Sequence, residues 1–147
     1  MNILIINRQR KTKLNTRDLR VYTQSAIELI EATIGKKTES DSRGVSIVFT
    51  GDRAMRKYNR EFRGKDKPTD VLSFPSDSDD SEFADYLGDI IISTETASRD
   101  AKELNLTFEV ELRMLILHGL LHLYGYDHEV DRGEMSRLER RLRRRLL

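Results

Sequence analysis

The chain has 147 residues, 37% of them hydrophobic, which is enough for one domain with one core. A charged fraction of 35% with a net charge of only +1 describes a heavily charged surface whose overall balance names no partner. The absence of cysteine excludes disulfides, thiolate metal sites and a cysteine nucleophile, and it fits a reducing cytosol.

The N-terminal "MNILIINRQR" has an apolar run at residues 3–6, too short for a signal-peptide core. That run reads as a buried strand. No stretch approaches the roughly 18 apolar residues of a membrane span, so the chain reads as soluble and cytoplasmic.

Residues 16–34 predict a helix. Leu19, Tyr22, Ala26, Leu29, Ile30 and Thr33 recur at helical spacing, and Gly35 is the stop. "GKKTESDSRG" is a charged loop and "VSIVF" a short β-branched strand. Asp52 is placed to cap a helix through "RAMRKYNREF", with Ala54, Met55, Tyr58 and Phe62 on its inner face.

"DVLSF" lies between Pro68 and Pro75 and predicts a strand at a sheet edge or with tight ends. "SDSDDSEFAD" is an acidic loop, "YLGDIIIS" a strand, and Ser93 or Thr94 starts a helix to about residue 104. Thr107 is the expected N-cap of a helix that reaches Gly125, with Glu109 and Glu111 favourably placed in its first turn. A last helix covers about residues 131–145. The order β-α-β-α-β-β-α-α-α gives an α/β (α+β) class. The expectation is a single domain over residues 1–147, a small mixed four-stranded sheet covered by about five helices.

All three histidines fall in "HGLLHLYGYDH". His118 and His122, at i and i+4, share one helix face. Gly125 can end the helix and return His128 as a third ligand. Three imidazoles with an open fourth position describe a catalytic metal site, and zinc leads among divalent first-row metals. Asp127 is either a fourth ligand or the hydrogen-bond partner of an imidazole.

Zinc peptidases use H-E-x-x-H-x-x-G-x-x-H, and their glutamate takes the proton from the metal-bound water. Here that position is Gly119. Phosphodiester cleavage needs such a base less, because zinc alone brings the pKa of water to about 7. It needs a nearby cation for the charge that builds at phosphorus.

Residues 53–67 hold Arg53, Arg56, Lys57, Arg60, Arg63, Lys65 and Lys67 against only Glu61 and Asp66. Arg53, Arg56, Lys57 and Arg60 read first as a solvated helix face. Arg63 reads as functional, at the start of the loop before a strand. Asp70 reads as a turn or strand-edge residue, with a substrate or proton-transfer role as the lesser alternative. The tail "SRLERRLRRRLL" sets an apolar stripe of Leu138, Leu142 and Leu146 beside Arg137, Arg140, Arg141, Arg143, Arg144 and Arg145. It reads either as a terminal helix with cations suited to its dipole or as an RNA-facing patch. The acidic residues 77–85 would repel phosphate and are expected away from any RNA path.

"HGLLHLYGYDH" and "FRGKDKPTDVLSFP", with "GDI" at residues 88–90, resemble the YbeY-type bacterial endoribonucleases, also called rRNA maturation factors. The resemblance implies a single-strand-specific, metal-dependent endoribonuclease. Its work would be maturation and quality control of ribosomal RNA, notably the small-subunit 3′ end. It implies zinc on His118, His122 and His128, Arg63 as a catalytic residue and Lys65 as an RNA contact. It also implies the small ribosomal subunit, a small-subunit protein and an Era-type GTPase as partners. The nucleophile is either a metal-activated water or the RNA 2′-OH. The acidic "SDSDDSEFAD" segment and the arginine-dense tail depart from the family pattern. Two other readings remain: a non-catalytic, zinc-braced ribosome assembly factor and, less favoured, a zinc peptidase.

Overall fold

The isoleucine run at residues 90–92 forms the middle of the molecule. A computed structural model describes residues 2–35, 44–76 and 86–147. The elements among them are β1 (Asn2–Asn7), α1 (Thr16–Ile34), β2 (Gly44–Thr50), α2 (Asp52–Arg63), β3 (Val71–Pro75), β4 (Tyr86–Ser93), α3 (Thr94–Glu103), α4 (Phe108–Leu123) and α5 (Glu134–Leu146). The expected order holds. The readings of the "GKKTESDSRG" and "SDSDDSEFAD" loops lie largely outside the described residues.

The sheet runs β1-β2-β4-β3. β1, β2 and β4 are parallel, and β3 joins β4 antiparallel at the edge, as the prolines around "DVLSF" suggest. Alternation assigns the two faces. Val45, Ile47, Phe49, Ile90 and Ile92 join the main core with α1, α4 and α5. Val48, Ile91 and Leu72 point the other way, to Met55 and Tyr58 of α2. The result is a single domain of five helices on a four-stranded mixed sheet. With about 25 cal/mol per Å² of apolar area removed from water, the larger face dominates the stability.

Four expectations need correction. The run at residues 3–6 is an edge strand in which Ile3, Ile5 and Ile6 are only half-buried and Leu4 is 55% exposed. α5 starts at Glu134, because the Asp131 carboxylate accepts the Gly133 and Met135 N–H groups at 2.8 and 2.9 Å and so caps the helix from outside. Phe62 does not join the inner face of α2; it is 61% exposed and packs edge-on against Phe74, 5.0 Å between ring centroids. Asn59 is buried on that helix instead and donates to the Lys67 carbonyl at 2.8 Å.

Asp52 is not the N-cap of α2; Gly51 is. The Asp52 carboxylate faces the start of α3, where it accepts from the Ser93 and Thr96 hydroxyls at 2.7 and 2.6 Å and pairs with Arg99 at 2.7 Å. Glu95 returns the contact by accepting the Asp52 N–H at 3.1 Å. Two helix starts, both following parallel strands, are thereby locked together. Burial alone would raise the Asp52 carboxyl, but hydrogen bonds from Ser93, Thr96 and Arg99 outweigh it and hold the pKa below the usual 3.8. A depressed folded-state pKa gives stability that is present above the unfolded value and lost as pH falls through the folded one. Asp52→Asn is therefore expected to cost about 2 kcal/mol at neutral pH, shrinking below about pH 4, in urea unfolding at several pH values. A pH-independent loss would mean that the carboxylate charge plays no part.

Candidate metal centre

α4 carries the centre. Thr107 caps it, accepting the Val110 N–H at 3.2 Å as its side chain predicts. At its other end the Gly125 N–H bonds the His122 carbonyl at 3.0 Å and the Tyr126 N–H bonds Leu121 at 3.1 Å. This is a Schellman ending, with Gly125 at φ 96 in the region glycine tolerates. The chain then turns back. The Asp127 carboxylate accepts the Glu129 N–H at 3.0 Å and its carbonyl accepts from Asp131 at 3.1 Å, which sets His128 opposite the helix.

The structure brings His118, His122 and His128 together, with ligand nitrogens within 4.8 Å of one another. His118 Nε2 and His122 Nε2 are 3.2 Å apart. Two nitrogens on one tetrahedral zinc at about 2.05 Å would lie about 3.3 Å apart, so the pair fits a shared ion. His118 Nδ1 meets Glu139 Oε2 at 3.3 Å. An ionised carboxylate only accepts, so it places the proton on Nδ1 and leaves the Nε2 lone pair free toward His122. His122 is held below the usual imidazole pKa by burial first and then by the neighbouring His118 and His128, which favours the neutral, ligating form. Asp127 takes neither of the roles open to it: its carboxylate serves the turn, and Glu139 is the imidazole partner.

Glu139 lies in the arginine-dense tail, where sequence gave no sign of it. It is buried, and Arg143 donates to its other oxygen at 2.9 Å. Burial would raise its pKa, but His118 and Arg143 outweigh that and hold it low. Arg143 thus turns inward, while Arg137, Arg140, Arg141, Arg144 and Arg145 remain exposed.

A cleft of about 610 Å³ opens beside the imidazoles, lined also by Arg63, Phe62, Phe74 and Asp70. Arg63 ends α2, and Gly64 at φ 69 closes that helix. The guanidinium reaches toward Glu129, 3.6 Å away, in an exposed pair of little strength. Lys65 is exposed on the following loop and is not part of the cleft lining. Arg56 and Arg60 both face Asp66, at 2.9 and 3.6 Å, so part of the basic segment neutralises its own loop.

Gly119 points away from the cleft. A Cβ there would stand 3.0 Å from two side-chain atoms of Ile90 and 3.2 Å from a third. The position that carries the glutamate in zinc peptidases is here the contact between α4 and the sheet. A longer side chain would enter the core rather than reach the imidazoles.

Three nitrogens without a fourth protein ligand among the described residues, opening on a cleft, fit the open centre of a metal-dependent hydrolase better than a closed structural metal site. Sequence comparison narrows that class. A model of the family described as Endoribonuclease YbeY matches residues 4–146, and the chain belongs to that family. Endoribonuclease YbeY of Geobacter sulfurreducens is 41% identical over 142 residues, 95% of this chain and 89% of that one. The protein of the same name from Thermodesulfovibrio yellowstonii is 33% identical over 100% of this chain and 96% of its own. A solution structure of a Thermotoga maritima protein superposes with a TM-score of 0.58 at 28% identity, covering 98% of this chain and 88% of that one.

Two variants test this geometry. Glu139→Gln is expected to weaken metal binding about 10–100-fold in chelator competition while the fold persists; unchanged affinity would remove its orienting role. Gly119→Ala is expected to cost about 1 kcal/mol in chemical denaturation, overpacking being partly offset by helix propensity, and Gly119→Glu more than about 3 kcal/mol. A stable Gly119→Glu protein would contradict the close packing on Ile90.

Proposed function

We propose that this chain cleaves single-stranded RNA in the cleft between α2 and the three histidines, with zinc as its metal. Its biological work would be maturation of ribosomal RNA, notably the small-subunit 3′ end, and ribosome quality control. Family membership makes the chain an endoribonuclease, a hydrolase of phosphodiester bonds. The observation that carries the finer reading is the sharing of one cleft by His118, His122, His128, Arg63 and the Phe62–Phe74 pair.

Each part has a task in RNA cleavage. His118, His122 and His128 would hold the ion; zinc there supplies Lewis acidity toward a phosphoryl oxygen and acidifies water. Arg63 is the catalytic residue in this reading, its fork-shaped guanidinium offered to the oxygens of the scissile phosphate as charge builds. An anion entering the cleft competes with Glu129 for Arg63, and the weak exposed pair yields at small cost. Phe62 and Phe74 give unpaired bases an aromatic surface at the cleft, which a duplex with stacked bases cannot use. Lys65, on the adjacent loop, serves as an outer contact for the strand's phosphates. The exposed arginines of α5 fit docking on the small ribosomal subunit, where a small-subunit protein and an Era-type GTPase are the proposed partners. Among the described residues no helix is long and apolar enough to cross a membrane; action in the cytoplasm belongs to the proposal.

A non-catalytic assembly role is the competing reading, favoured by the exposed arginines of α5. One experiment separates the two. Purified zinc-loaded protein is incubated with end-labelled unstructured RNA, with and without a chelator, beside Arg63→Ala. Cleavage is expected to stop with the chelator and to fall about 10²–10³-fold in folded Arg63→Ala. Absence of cleavage by the folded, zinc-replete protein would support the assembly role. End-group analysis identifies the nucleophile: a 2′,3′-cyclic phosphate marks attack by the RNA 2′-OH.

A further inference from the structure

A second group of possible ligands lies away from the histidines. Asp70 precedes β3, Asp100 lies on α3 and Glu111 on α4, and carboxylate oxygens of the three are within 4.8 Å of one another. Glu111 is only 4% exposed, and its Oε2 is buried without a hydrogen-bond partner among the described residues. Asp70 commits Oδ1 to the Val71 N–H at 2.7 Å and the Thr69 hydroxyl at 3.4 Å, and its Oδ2 makes no such bond among the described residues.

None of the ion pairs among the described residues includes any of these three acids. The nearby cations are already engaged: Arg99 with Asp52 at 2.7 Å and Arg143 with Glu139 at 2.9 Å. Three acidic groups converge in a partly dry place without a direct ion pair to any of them among the described residues. Burial first, and the neighbouring carboxylates second, raise the pKa of both Asp100 and Glu111. Such a set either shares protons or binds a cation.

We propose that Asp70, Asp100 and Glu111 form a second metal site, for a hard divalent ion of the magnesium class. The donor chemistry sets the class. All three offer oxygen, whereas the histidine centre offers nitrogen, so the two sites select different ions. Magnesium is commonly held by one or two carboxylates and keeps its other positions for water or phosphate. Asp70 lines the cleft, so an ion there has open positions toward a bound strand. Glu111 and His118 are seven residues apart on one helix, two turns or about 10.5 Å along the same face. The second site is therefore separate from the histidine centre yet beside the same cleft.

The test uses Mn²⁺ as a spectroscopic stand-in for magnesium, on zinc-loaded protein, with no RNA present. Electron paramagnetic resonance is expected to show one Mn²⁺ bound per chain, displaced by Mg²⁺. Binding is expected to persist in His118→Ala and to weaken about tenfold or more in Asp100→Asn and in Glu111→Gln, with zinc content unchanged in the latter two. Thermal unfolding supplies a second readout. Mg²⁺ is expected to raise the midpoint of the wild-type chain but not that of Asp100→Asn, and Glu111→Gln is expected to raise the midpoint in metal-free buffer by removing a charge. No bound Mn²⁺ at millimolar concentration would overturn the site and leave a proton-sharing cluster. So would Mn²⁺ that is lost with His118→Ala and kept in the carboxylate variants. Because neither readout involves RNA cleavage, failure here leaves the nuclease reading standing, and failure of that reading leaves this one standing.

Discussion

The close approach of α4 to the sheet at Gly119 and Ile90 is the constraint on which the site depends. One face of α4 must be buried, since Leu112, Leu115, Ile116, Leu117, Leu120 and Leu121 all belong to the core. Without a side chain at position 119 the helix settles against β4, and its other face turns His118 and His122 to the cleft. The histidines are therefore aimed by packing far more than by any contact of their own. Rigid placement of this kind is what a metal centre needs, because ligand directions set in the apoprotein do not have to be fixed when the ion binds.

The same constraint decides which chemistry is open to the centre. A zinc peptidase keeps a carboxylate one residue after its first histidine to handle protons. Here the equivalent position is core, so no substitution at it can supply a base without disturbing the sheet. The cleft adds a guanidinium, which can stabilise charge but does not take up protons at neutral pH, beside the carboxylates of Asp70, Asp127 and Glu129. A centre with a cation beside it and no carboxylate one residue after its first histidine suits a reaction whose transition state is strongly anionic. Phosphodiester cleavage fits that requirement better than peptide hydrolysis, for reasons internal to the geometry.

Much of this was legible in the sequence because short-range rules govern it. The Gly35 stop, Thr107 and the Gly125 stop are local signals, and each end forms where expected. Short apolar and β-branched runs found the strands, and Pro68 and Pro75 pointed to an edge or tight strand ends. Spacing found the three histidines because two lie on one helix and the third follows a tight turn. The misses share a cause: each depends on partners remote in sequence. Phe62 was assigned inward by periodicity, but an aromatic on β3 draws it to the cleft. Asp52 looked like a cap, but its partners lie on α3. Glu139 is hidden among arginines, and only the packing of α5 beside α4 shows that it faces His118.

That last contact ties the arginine-rich tail to the metal centre. Burying a carboxylate without a countercharge would raise its pKa, and a protonated Glu139 would no longer be a pure acceptor for His118 Nδ1. The imidazole cannot provide a full countercharge while it stays neutral enough to bind metal. Arg143, one turn along α5, does so from the side away from the imidazole. The run "RRLRRRLL" therefore divides by helical register: Arg143 joins His118 in holding Glu139 ionised, while its arginine neighbours face solvent. A tail that reads as a uniform basic surface is, at one position, part of the apparatus that prepares a nitrogen for a metal.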